Sequence, residues 1–126
     1  MSISYSCVKL NDESKNLLYK RLSKLVPEGW EWIADHMTIK MGALNDHMRE
    51  TMLGTTQTLE VVRIGISDMA IAVEVTGCQS LNGVPHVTIA INKQEGARPY
   101  MSNNIVNWHF LTMENLTGTV IEVVNN

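Results

Sequence analysis

Apolar and polar residues alternate along several stretches of the chain, and that two-residue period predicts β-strands. Residues 3–10 set Ile3, Tyr5 and Cys7 against Ser4, Ser6 and Val8, a first strand that ends where Asn11 and Asp12 open a polar turn. The period then changes. Leu17, Leu18, Leu22 and Leu25 recur at helical spacing, with Ser14 as a candidate N-cap and Pro27-Glu28-Gly29 as the stop. From Glu31 to Met41 the strand pattern returns, with Ile33, Met37, Ile39 and Met41 on one face and Trp32, Ala34, His36, Thr38 and Lys40 on the other. Asp46 to Leu53 reads as a short helix or a loop. Gln57–Ile66 and Met69–Val75 read as two strands joined by a tight hairpin at Ser67-Asp68. Val84 to Asn92 is another strand, and Pro85 marks it as an edge or a strand start, because proline cannot donate to a central ladder. A loop over residues 94–100 leads to a short helix opening at Ser102 or Asn103 and running through Trp108. Thr119–Val124 closes the chain as a strand.

No linker, low-complexity run or charge block interrupts this series, so residues 1–126 are expected to form a single domain. In each half a strand is followed by a polar loop and a short helix. The expected fold class is therefore α+β, with two pseudo-symmetric lobes of antiparallel strands and flanking helices around a central cleft.

Composition narrows the function classes. The chain is 44% hydrophobic and 18% charged, as suits a packed globular protein, and its formal charge of −3 argues against holding long duplex nucleic acid by its backbone. Lys15, Lys20, Arg21 and Lys24 interleave with the leucine stripe and read as the solvated face of an amphipathic helix. No apolar run approaches the roughly 18–20 residues of a membrane span, and the first residues lack the blocks of a signal peptide. Cys7 and Cys78 show no paired metal spacing and read as reduced thiols. The expectation is a cytoplasmic protein without disulfides and without a membrane partner.

Within this pattern one phrase occurs twice: His36-Met37-Thr38-Ile39 and His86-Val87-Thr88-Ile89. On a strand the His and Thr of each phrase share a face, and the residues between and after them point into an apolar layer. Each phrase thus offers an imidazole beside a hydroxyl. A repeat of this kind arises by chance in about a few per cent of cases. His47 and His109 lack the context. Apart from Asp35 and Asp46 no carboxylate stands at ligand spacing to the pair, Asp35 is placed on the face opposite His36, and no metal or other cofactor is expected.

The doubled His-x-Thr with a following hydrophobic residue resembles the 2H phosphoesterase superfamily, and residues 96–103, Gly-Ala-Arg-Pro-Tyr-Met-Ser-Asn, look like the matching segment of its short members. The superfamily includes RNA-ligase-like enzymes, the cyclic phosphodiesterase domain of tRNA ligases, and short phage enzymes that destroy cyclic nucleotide immune signals. The resemblance implies a metal-independent phosphodiesterase acting on a cyclic nucleotide phosphodiester, either a cyclic oligonucleotide signal or a 2′,3′-cyclic phosphate. If the gene is phage-borne, the enzyme works in the host cytoplasm. His36 and His86 would be the acid/base pair, and Thr38 and Thr88 would hold the phosphate oxygens. Tyr5, Lys40, Tyr100 and Ser102 are further candidates for substrate contact. RNA end repair and non-catalytic sequestration of a nucleotide are the competing readings, and the expected partner in every case is a small nucleotide or RNA end.

Overall fold

The computed structural model describes residues 2–125. The first strand, β1 (Ile3–Leu10), hands over to helix α1 (Asp12–Leu22) at Asn11. Asn11, not Ser14, is the N-cap: its Oδ1 accepts from the Ser14 amide at 2.8 Å. Asp12 and Glu13 then sit at the positive end of the helix dipole, with Lys20 and Arg21 at the negative end. Ser14 is buried, and its hydroxyl accepts from the Thr117 amide at 2.7 Å, tying the helix to the last strand.

The expected strand over Glu31–Met41 is two strands. β2 (Glu31–Trp32) and β3 (His36–Met41) are separated by Ala34, whose φ of 39° breaks the extended run. A left-handed conformation costs a non-glycine residue roughly 1–2 kcal/mol, and this one is held in place by the Ala34 amide bonding the Thr88 carbonyl at 3.0 Å. Helix α2 (Asp46–Thr51) follows, then β4 (Thr56–Ile66), β5 (Ala70–Thr76) and β6 (His86–Ile91). The helix expected through Trp108 is instead a 3₁₀ helix over Pro99–Asn104, and Trp108 belongs to β7 (Asn107–Phe110). Proline at the first position and a short polar run favour the tighter turn. The chain finishes in β8 (Leu116–Val124).

All strand pairs are antiparallel, and the fold is α+β. The pairing runs β1–β3–β6–β5–β4–β8 and returns to β1, so six strands close a ring. β2 and β7 extend it beside β6 and β4. β6 is thus paired on both sides, and Pro85 marks a strand start, not an edge. The ring's inward residues Val8, Met37, Ile39, Val73, Val87, Leu116 and Val120 form one cluster with Leu18 and Leu22 of α1, all at most 2% exposed. Burying each such side chain contributes about 1.5–3 kcal/mol. That packing fixes which residues of β3 and β6 face the other way. Among the described residues no helix is long and apolar enough to cross a membrane.

A candidate two-histidine active site

β3 and β6 are neighbours in the ring, joined by the single register pair Met37↔Val87. Because Met37 and Val87 are the core-facing middle residues of the two phrases, the flanking His and Thr of both turn to the opposite side. There His36, Thr38, His86 and Thr88 line one cavity of about 590 Å³. Its walls are completed by Tyr5, Ile33, Met41, Pro99 and Tyr100, with Asn82 and Asn103 as further polar groups. Residues from both halves of the chain therefore meet in one site.

Of the other candidates, Tyr5 stacks on the His36 ring, with centroids 5.0 Å apart and planes at 29°. Tyr100 is 64% exposed at the rim. Lys40 is not in the cavity. β3 carries a bulge: Cys7 pairs with Thr38 and Ser6 with Lys40, leaving Ile39 as an extra residue. The bulge reverses the alternation, so Lys40 leaves the His36 face and Met41, opposite Tyr5, joins it. Ser102 is also outside the cavity wall. It is buried behind Thr88, with the two hydroxyl oxygens 2.8 Å apart, and it caps no helix.

Asp35 does not point away from the site. The break at Ala34 removes it from strand alternation, and its Oδ2 lies 3.1 Å from His36 Nδ1. Its other oxygen accepts from Lys9 and, at 3.1 Å, from Lys15; with Arg21 paired to Glu114, two members of the basic helix set have carboxylate partners. Burial would raise this carboxyl, but hydrogen bonds from Lys9, His36 and Lys15 outweigh it and hold the group well below the usual carboxylate range. An ionised Asp35 accepts the Nδ1 proton of His36 and leaves Nε2 as the ring's other reactive nitrogen.

His86 sits in a different environment. It is 7% exposed, and its Nδ1 lies 2.7 Å from the Val84 carbonyl. A carbonyl only accepts, so Nδ1 carries the proton and Nε2 has a free lone pair in the neutral ring. Burial pushes the imidazole below its ordinary value; the Val84 bond opposes that shift, and the nearby His36 charge adds to it. Two histidines in one cavity thus differ in kind, one braced by a carboxylate and the other by a carbonyl. Cys7 is no competitor as a nucleophile, since burial, reinforced by the Asp35 charge, pushes its thiol up to about 11.

The bulge also builds the near wall. Ser80 Oγ donates to the Thr38 carbonyl at 2.8 Å and the Leu81 amide to the Ile39 carbonyl at 2.8 Å. The connection between β5 and β6 is thereby pinned over β3, which brings Asn82 to the cavity. Asn82 and Asn103 carry no periodicity in the sequence; Asn82 lies in the loop before β6 and Asn103 in the 3₁₀ helix after it, and only that nearness to a His-x-Thr strand would have pointed to them. Among the described residues no three His, Cys, Asp or Glu side chains converge as a metal would require. In comparisons with known proteins the chain matches no family model, no curated protein and no solved structure.

Proposed function

We propose that this chain is a two-histidine phosphodiesterase that opens a cyclic nucleotide phosphodiester without a metal. The observation that carries the reading is the convergence of both His-x-Thr phrases on one cavity, with the two imidazoles in unlike protonation environments. In-line cleavage of a phosphodiester needs one group to take a proton from the nucleophile and another to give one to the leaving oxygen. His86, buried and lowered, is the base: its Nε2 takes the proton from water or a neighbouring 2′-hydroxyl as that oxygen bonds phosphorus. His36, held by ionised Asp35, is the acid, and its Nε2 gives a proton to the ribose oxygen as the P–O bond breaks.

Thr38 and Thr88 donate to the non-bridging oxygens and hold the phosphorus between the rings. Ser102 makes this possible for Thr88. Thr88 Oγ1 donates a long hydrogen bond of 3.4 Å to the Pro99 carbonyl and lies 2.8 Å from Ser102 Oγ; with Ser102 donating to it, the threonine can turn its own proton from that long bond to the phosphate. The lining carries no lysine or arginine, which suits the single charge of a diester better than the double charge of a terminal phosphate. The likeness of the paired phrases to the 2H phosphoesterases supports the same reading, as does their placement at the start of β3 and β6, neighbouring strands from the two halves of the chain. The setting we propose is the cytoplasm, where small cyclic nucleotides are made.

The test incubates purified protein with EDTA and, separately, 2′,3′-cyclic nucleotides and cyclic di- and trinucleotides, with chromatography of the products. Turnover that persists in EDTA and is lost in both His36→Ala and His86→Ala is expected. Turnover unchanged in either variant sinks the two-histidine mechanism, and tight binding without product makes the protein a nucleotide sponge.

A further inference from the structure

Beside the catalytic cavity lies a second recess of about 300 Å³, lined by Gly83, Val84, Ser102, Ile105 and Trp108. That is the small end of the roughly 300–1,000 Å³ that ligand sites span, with room for a purine or pyrimidine ring. Two features join it to the cavity. Asn82 and Asn103 line both spaces. The wall between them elsewhere is the Thr88–Ser102 pair, with Thr88 facing the cavity and Ser102 the recess, 2.8 Å apart. A phosphate held by Thr88 is therefore separated from the recess by one hydrogen-bonded pair of side chains.

We infer that this recess is the subsite for the nucleobase on the far side of the scissile phosphate, so that the substrate is a phosphodiester joining two nucleosides. The inference rests on the two-histidine reading of the adjoining cavity. The chemistry of the lining fits a base. A carboxamide offers both donors and an acceptor and can pair with the edge of a heterocycle without bringing charge. Trp108 supplies an aromatic wall that is already fixed: its Nε1 donates to the Ile105 carbonyl at 3.2 Å, and the Arg63 guanidinium sits 5.3 Å from its ring centre. The same connection that presents Asn82 also carries Val84, whose carbonyl orients His86. Filling the recess is thus coupled through three residues to the base of the reaction.

Gly83 gives a clean test, because a Cβ built there meets nothing within 4 Å and its backbone is not left-handed. Gly83→Trp adds an indole at the rim of the recess, positioned to obstruct it without displacing the fold. The readout is the ratio of kcat/KM for a 3′,5′-linked cyclic di-adenylate to that for adenosine 2′,3′-cyclic phosphate, which has a single base. The native protein is expected to favour the dinucleotide roughly ten- to hundredfold, the scale of one base contact, and Gly83→Trp to bring the ratio near one. A native ratio near one, or a ratio that Gly83→Trp leaves in place, overturns the subsite while the two-histidine mechanism stands. If neither substrate is turned over, the mechanism has failed, and equilibrium binding of the same two nucleotides decides the subsite. Tighter binding of the dinucleotide that is lost in Gly83→Trp supports it, and equal or absent binding overturns it.

Discussion

Asp35 touches three partners at once, and its charge is the reason His36 keeps a proton on Nδ1. Asp35→Asn keeps the shape but removes that charge. The expected result is a fall in kcat of about 10- to 100-fold with KM little changed, less than the 10²–10⁴-fold a general acid contributes outright. A loss confined to KM would assign Asp35 to binding instead. Under the proposed assignment, His86 sets the pH dependence. Because its folded value lies below 6.5, kcat/KM should fall only as pH drops below that point, when the base takes up a proton. An acid limb at or above 6.5 would contradict its assignment. The His-x-Thr pairs were legible in the sequence because strand alternation needs only the local pattern. Asp35 was not, since a single left-handed residue at Ala34 cancels alternation and nothing in the local pattern signals it.

At the scale of elements, the bulge at Ile39 decides which side chains of β3 see the cavity. Lys40 was placed there by counting, and the extra residue turns it away. Bulges depend on pairing with another strand, here β1, which lies far off in sequence; for the same reason the 3₁₀ turn at Pro99 and the strand at Trp108 were hidden by their short length. The strands β1, β4, β5, β6 and β8 are legible to within a few residues, because each buries at least one face and β6 buries both. The connection after β5 begins at Gly77, with φ 111° and an imagined Cβ 2.3 Å from the Thr58 carbonyl oxygen. Gly77→Ala should therefore cost about 1–3 kcal/mol and loosen the loop that carries Asn82 and Val84. Urea unfolding would measure the loss; an unchanged midpoint would show that the backbone there relaxes freely.

For the whole molecule, acid should act in two stages. A histidine lowered on folding binds more protons when unfolded, so neutral His86 contributes stability that is lost as pH falls below 6.5. A carboxyl lowered on folding contributes stability that is present above 3.8 and lost below it, which is the case for Asp35. The denaturation midpoint should thus begin to decline below pH 6.5, and that first decline should be missing in His86→Gln. A midpoint that stays flat from pH 7 to 5 would argue against a buried neutral imidazole. In the shared core, Leu18→Ala should cost about 2–5 kcal/mol, since Leu18 is wholly buried where α1 meets the ring.

The ring is closed most thinly where β3 meets β6, at Met37↔Val87. That joint is expected to act as a compliant seam in an otherwise continuous girdle. Amides along it are the ones expected to exchange with deuterium first among the ring strands, because fewest ladder bonds resist local opening there. Each side of the seam carries one imidazole and one hydroxyl, so its width sets the gap in which a phosphorus must fit between the two rings. A ligand bridging both sides would act as the missing stitch, and slower exchange at Met37 and Val87 would report occupancy before any bond is broken.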